Sequence, residues 1–343
     1  MILNHKEPYD LADEPQELIL EPLFSIDTED ERLLEMGLTD IETFDVDEDD
    51  MVFIIQWQTK ENYVYKFDPE GNYLSSFCRR GQGPGELEWG GTVLITPAGE
   101  VMAKDPSKAK YILFDREGRY LKDVQLKKHF SLYPLHNGNY FVTWQDQDSE
   151  IMVDHIGICD NTFELVTELG SFQWNNPMNA RFEVNCLRMN YTLSEDRIFI
   201  SRATKDYDIH VYDLSGKLIQ KIRKDHDPVA VTDVYKDAFF KRYPENDPYV
   251  QNLYFTKYWP PVRFMFSGDD DRRYVMTYEE GEGSGEFIYD VYNPDGVFID
   301  RISLNNVVQR RPAKCLVQDG RLFHIEEKES GFKTLQVHRM VWK

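Results

Sequence analysis

The stretch Tyr63-Val64-Tyr65-Lys66-Phe67-Asp68-Pro69-Glu70-Gly71-Asn72-Tyr73-Leu74 decides the fold. Two runs rich in Tyr, Val and Phe flank a short polar turn. Asp68 can open such a turn by accepting backbone hydrogen bonds on its side chain, and Gly71 can supply the positive φ that closes it. The segment therefore reads as a β-hairpin. The same turn returns at Phe114-Asp115-Arg116-Glu117-Gly118, Tyr212-Asp213-Leu214-Ser215-Gly216 and Tyr292-Asn293-Pro294-Asp295-Gly296. A degenerate copy, Ile158-Cys159-Asp160-Asn161-Thr162, lacks the glycine, and Val337-His338-Arg339 is taken as the sixth position.

Working outward, the intervals between these positions are 47, 45, 53, 80 and 46 residues. Periods in the forties are what four short strands per repeat require. The long interval marks an insertion over about residues 224–261, in which Val234 to Tyr243 reads as a short helix stopped by Pro244. Upstream of each copy lies a second turn: Asp47-Glu48-Asp49-Asp50, Pro97-Ala98-Gly99, His136-Asn137-Gly138-Asn139, Ser194-Glu195-Asp196, Gly268-Asp269-Asp270-Asp271 and Gln318-Asp319-Gly320. Apolar runs such as Val52-Phe53-Ile54-Ile55 follow them. The pattern predicts an all-β, six-bladed β-propeller with four antiparallel strands per blade, one domain over residues 1–343 and a short helical insertion between blades 4 and 5. An open blade edge must be paired or covered. The segment Glu17 to Leu23 is expected to supply the outermost strand of the last blade, beside Leu335-Gln336-Val337, and so to close the chain on itself.

Composition agrees with one large core: 41% of the 343 residues are hydrophobic and 14% aromatic. The 39 Lys and Arg against 61 Asp and Glu give a net charge of −22. Such a chain is repelled by phosphate backbones and anionic lipid, which argues against nucleic acid and membrane surfaces as partners. No run of eighteen apolar residues suggests a transmembrane helix. Cys78, Cys159, Cys186 and Cys315 form no C-x-x-C pair, so zinc and redox readings lack support. Free buried thiols are expected, with two long-range disulfides as the alternative.

At these repeats the chain resembles bacterial six-bladed propeller proteins related to NHL-repeat proteins, many of them secreted or lipid-anchored. The residues that carry the resemblance are the Phe-Asp-x-x-Gly turns, the loop Arg80-Gly81-Gln82-Gly83-Pro84-Gly85-Glu86, and the opening Asn4-His5-Lys6-Glu7-Pro8. The last looks like the mature start of an exported protein. The resemblance implies the propeller fold and a periplasmic or extracellular setting, with a lipid anchor as one form of it; it implies no reaction.

Signatures of chemistry are weak. Gly81 to Gly85 lacks the third glycine of a dinucleotide loop, because Glu86 stands there and no helix follows. Asp45 to Asp49 begins like a calcium loop, but Asp50 and Gln56 occupy the places that need Gly and Glu. Gly281 to Gly285 is not a nucleophile elbow, since Glu282 and Glu286 replace its glycines. The eight histidines show no metal-ligand spacing.

In a propeller the hairpin turns lie on one face and the inter-blade connections on the other. Acidic residues gather in the turns, whereas the connections hold Arg79-Arg80, Lys127-Lys128, Arg181, Arg188, Arg223-Lys224 and Arg310-Arg311. Aromatics join them: Trp57, Trp89, Trp144 and Trp259. The reading is a binding propeller whose connection face receives an anionic group, with a small molecule, a glycan or a protein as partner. The candidate ligand-binding residues are Arg79, Arg80, Gln82, Trp57, Trp89, Trp144, Arg181, Arg202, Arg223, Trp259, Arg263 and Arg310. No cofactor is expected. The alternative is a channel-centred enzyme, a metal-assisted lactonase or a lyase, which leaves room for a divalent cation on the channel axis.

Overall fold

The computed structural model describes residues 1–11, 18–147, 150–185, 189–201, 206–243, 247–283, 285–308 and 311–343. The protein is a six-bladed β-propeller built from four-stranded antiparallel blades. Its internal contacts divide it into two compact units. One holds residues 1–16, 142–159 and 164–304; the other holds residues 17–141, 160–163 and 305–343.

The second unit contains blade 1 (Thr43–Val46, Val52–Ile55, Asn62–Phe67, Tyr73–Arg79) and blade 2 (Val93–Ile95, Val101–Asp105, Lys110–Phe114, Tyr120–Gln125). It also contains blade 6, whose strands Cys315–Gln318, Arg321–Glu327 and Lys333–Trp342 are completed by Leu18–Asp27. That last pairing is the expected closure: Leu18 stands opposite Trp342 and Ile26 opposite Leu335, with a register shift between Pro22 and Phe24. Proline cannot donate to a ladder, so a bulge on an edge strand is where it is tolerated. A helix over Glu31–Glu35, not foreseen from sequence, follows the closure strand.

The first unit contains blade 4 (Asn190–Leu193, Arg197–Ser201, Tyr207–Asp213, Leu218–Lys224) and blade 5 (Phe264–Ser267, Arg273–Glu280, Phe287–Tyr292, Phe298–Leu304). Blade 3 (Ser131–Pro134, Tyr140–Gln147, Ile151–Cys159, Leu165–Asn175) carries the boundary between the units within its second strand. Blade 4 holds a fifth, parallel strand, Ile2–Asn4 beside Ile222–Lys224. The N-terminal segment is thus built into the sheet. Buried Asn4 donates to the carbonyls of Arg223 and Gly296 and accepts from the Phe298 amide, so one side chain ties blade 4 to blade 5.

The repeated turn has one geometry. Asp68, Asp115, Asp213 and Asn293 each accept the amides two and four residues ahead on Oδ1. The glycine three residues on lies at φ +84°, +79°, +87° and +83° respectively. In the degenerate copy Phe163 holds that left-handed position at φ +64°, and its amide still reaches the Asp160 carbonyl at 3.0 Å. The sixth copy is not at Val337 to Arg339, which lies inside Lys333–Trp342. It is Lys328-Glu329-Ser330-Gly331, where the Gly331 amide donates to the Lys328 carbonyl and Gly331 has φ +85°. Lysine replaces the aspartate that marks the turn, which hid the copy. The six upstream turns connect the first and second strands of their blades as expected.

The insertion is a fixed element rather than a free loop. Its helix spans Asp233–Phe240, capped by Thr232, whose hydroxyl accepts from the Tyr235 amide. It ends before Tyr243, and Pro244 lies outside the described residues. Leu253–Tyr254 pairs in parallel with Phe182–Glu183 of the connection between blades 3 and 4. Buried Asn185 donates to the Tyr258 carbonyl and accepts from the Thr256 amide, locking the two connections together. Half-buried Phe239, Phe240, Tyr235, Phe255 and Trp259 pack on one another through edge-to-face contacts.

Each unit has its own core. Phe44, Ile54, Tyr65, Phe67, Phe323 and Leu335 cluster in one, and Phe199, Ile209, Val211, Val275, Tyr292 and Phe298 in the other. Cys78 and Cys315 are buried free thiols, and Cys159 is buried; Cys186 lies outside the described residues.

Candidate functional site

Four of the candidate residues lie at one end of blade 1. Arg79 closes its last strand opposite Asn62, and the Arg80 amide donates to the Glu61 carbonyl. Trp57 sits in the adjoining hairpin, its carbonyl accepting the Gly90 amide, and its ring lies 5.8 Å from that of Trp89. Trp57 is 40% exposed. Arg79, Arg80 and Gln82 are exposed too, and among the described residues no carboxylate pairs with either guanidinium. In a chain of net charge −22 two adjacent uncompensated arginines stand out.

The glycine loop that follows is already filled. The Glu86 carboxylate accepts from the Gly83 amide at 2.9 Å, and a β-carbon on Gly81 would collide with it. The loop closes by the Gly81 amide donating to the Leu87 carbonyl. The Gly83 amide is thus engaged by the loop's own carboxylate, whose negative charge opposes a phosphate there. Gly281-Glu282-Gly283-Ser284-Gly285-Glu286 repeats the device: the Gly283 amide donates to Glu286 Oε2 at 3.0 Å, and Ser303 adds a 2.7 Å bond. The shared Gly-x-Gly-x-Gly-Glu string was the signal for this, visible in the sequence and missed.

A second cluster lies between blades 4 and 5 beneath the insertion. A cleft of about 300 Å³, including the open solvent at its mouth, is walled by Trp259, Pro260 and Tyr278 and floored by Lys224 and Asp290. Lys224 Nζ donates to Asp290 Oδ2 at 2.7 Å, and the Tyr207 hydroxyl donates to the same oxygen at 2.9 Å. Arg301 Nε lies 3.3 Å from Asp290 Oδ1, and Arg301 Nη2 lies 2.7 Å from Glu279. The Lys224 side chain is 4% exposed and that of Asp290 fully buried. The ammonium also faces the rings of Phe298 at 4.3 Å and Tyr207 at 5.2 Å. Burial holds the Lys224 pKa below the usual lysine value despite the pull of Asp290. Burial, with Asp290 beside it, raises the Tyr207 hydroxyl well above the ordinary tyrosine value. Trp259 stacks on Tyr278 at 4.4 Å with planes 5° apart. Arg263 lies over Tyr278 at 5.2 Å and over Phe287 at 4.0 Å, its pKa lowered by burial.

The remaining candidates are dispersed. Trp144 is buried and stacks on His155 at 4.8 Å, so it offers no exposed platform. Arg181 lies over Tyr254 at 4.7 Å, and Arg223 pairs with Asp208 at 3.3 Å. Arg202, Arg310 and Arg188 fall outside the described residues. The simple sorting of charge by face also needs correcting. The hairpin-turn carboxylates have basic partners of their own: Arg116 pairs with Glu48 and Asp49, Arg119 with Asp115, Arg272 with Asp270, and Arg321 with Asp50. Those arginines sit in or beside the turns and offset part of their charge. Among the described residues, no three His, Cys, Asp or Glu side chains come together so as to hold a metal ion, and no helix is long and apolar enough to cross a membrane.

No family model matches the chain, and no curated protein matches it. Solved structures do. A protein designated exported, from Bacteroides fragilis, aligns over 100% of this chain and 99% of its own with a TM-score of 0.54 at 10% identity. A member of the DUF4221 family from Bacteroides vulgatus aligns over 96% and 98% with a TM-score of 0.52 at 11% identity. Virginiamycin B lyase from Staphylococcus aureus aligns over 92% and 87%, with a TM-score of 0.43 at 12% identity. At these identities the likeness is one of fold.

Proposed function

We propose that the chain is a single propeller domain that acts as a non-enzymatic binding module outside the cytoplasm and recognises an acidic sugar at the blade 1 connection. The observation that carries the reading is the pair of exposed, uncompensated arginines, Arg79 and Arg80, at the same sheet end as the Trp57–Trp89 pair. Arginine forks match a carboxylate bidentately, and an exposed indole offers the flat apolar face on which a sugar ring stacks. Two such features side by side suit a ligand with one ring and one negative charge. Gln82, exposed in the adjoining loop, adds a neutral hydrogen-bonding group. The family resemblance and the exported relative from Bacteroides fragilis support the setting.

Titration of the folded protein with glucuronic acid and with glucose, followed by tryptophan fluorescence, tests the reading. A saturable change with the acid alone is expected, weakened at least tenfold by replacing both Arg79 and Arg80 with Ala, about 1.4 kcal/mol of binding. Equal responses to both sugars, or an unchanged affinity in the double variant, would overturn it.

A further inference from the structure

Beneath the insertion, a lysine, a carboxylate and a phenol are assembled at the floor of a cleft that opens to solvent. Lys224 donates to Asp290 at 2.7 Å, and Tyr207 shares the same carboxylate oxygen at 2.9 Å. These three belong to different strands of two blades, separated by up to 83 residues in the chain. Nothing in the sugar reading above uses them.

We propose that Lys224 is a covalent capture site for small neutral aldehydes, condensing with the carbonyl to a protonated imine whose counter-ion is Asp290. A lysine becomes a nucleophile toward carbonyls when desolvation weakens its hold on the proton, and burial does that to Lys224. The step balances without any co-reactant. Asp290 takes one proton from the ammonium, and the freed lone pair forms the C–N bond. The carbinolamine oxygen then leaves as water, carrying two of the three ammonium protons. The iminium keeps the positive charge, so the Asp290 pairing with which the floor begins is also the one with which it ends. Tyr207, hydrogen-bonded to the same oxygen, holds the carboxylate in place through the proton transfers.

The lining also selects the ligand. Asp290, Glu279 and Asp227 border the cleft but are paired with Lys224, Arg301 and Lys6, so the lining is close to neutral and its cations are already engaged, which favours a neutral carbonyl compound over an anionic one. Trp259 and Pro260 wall the approach and leave only narrow free space, which favours a compound of a few heavy atoms.

The test uses the intact protein, acetaldehyde and cyanoborohydride at neutral pH, with ethylated lysines located by peptide mass spectrometry. An amine whose pKa is lowered carries more of the neutral form, so Lys224 is expected to label severalfold faster than exposed Lys60 and Lys217. His226, Asp227, Glu279 and Arg301 are the other titratable groups facing the floor. Labelling of Lys224 no faster than Lys217 would overturn the proposal and leave a buried ion pair only. Because wild-type protein decides the matter, it does not depend on a variant folding. Loss of aldehyde labelling with intact sugar binding, or the reverse, separates this site from the one at Arg79.

Discussion

Gly71 and Gly138 share a backbone conformation, at φ +84° in both, but not a neighbourhood. A β-carbon on Gly71 would lie 2.5 Å from Cδ2 of Phe24, a residue of the closure strand, whereas one on Gly138 meets nothing within 4 Å. Gly138→Ala should therefore cost only the left-handed conformation, about 1–2 kcal/mol. Gly71→Ala adds overpacking and should cost about 2–4 kcal/mol in all. Urea denaturation of the two variants checks the gap; equal losses would mean that Phe24 swings aside. Phe163 shows the same economy from the other side. Its strained position is kept by a residue that packs on Tyr140 at 5.3 Å, so relief of strain in Phe163→Gly should be offset by lost packing. Nothing in the local sequence reveals this, because a phenylalanine at a turn looks like the absence of a turn.

At the scale of elements, the hairpin turns were legible because each is fixed by two residues three apart. The Asp-x-x-Gly string is a local cause with a local effect. The sixth copy failed by the same logic: Lys328 removed the cue while Gly331 kept the conformation. Long-range pairings were not legible. Lys224 and Asp290 sit on separate blades, and no periodicity links them; Arg79 and Trp57 could be placed together only because they flank the same sheet end. Blade 6 adds an acid-sensitive element. His324 Nε2 lies 3.3 Å from His338 Nδ1, and the rings stack at 5.3 Å. Burial, then the neighbouring His338, lowers the His324 pKa to about 3, and burial lowers that of His338. The folded state thus prefers neutral rings, while the unfolded chain takes up protons below about pH 6.5. Stability should fall as pH drops from about 6.5 toward 3. Glu326, 3.8 Å from His324 and raised by burial, acts in the opposite sense over the lower part of that window. Thermal unfolding across this range in the wild type and in His324→Phe checks the assignment, and the variant should show the shallower slope.

At the scale of the whole molecule, two parts of the N-terminal segment do different work. Asn4 fastens the N-terminal segment between blades 4 and 5 with three hydrogen bonds, two of them fully buried. Asn4→Ala leaves those backbone groups without partners, and should cost about 1–3 kcal/mol. Leu18–Asp27 supplies a full strand of blade 6. Removing residues 1–27 should abolish the cooperative thermal transition seen by circular dichroism, whereas Asn4→Ala should only shift it. A retained transition after truncation would show that blade 6 is stable with three strands.

The closure strand also sets a timetable. Its partner, Lys333–Trp342, leaves the ribosome some 300 residues later. Until then the closure strand must wait without a ladder, exposed to other chains. Glu21 and Pro22, placed at its middle beside the register shift, are the residues that spoil foreign pairing while the native partner is awaited. An Ile19–Phe24 stretch without them would be completed by whichever edge arrived first.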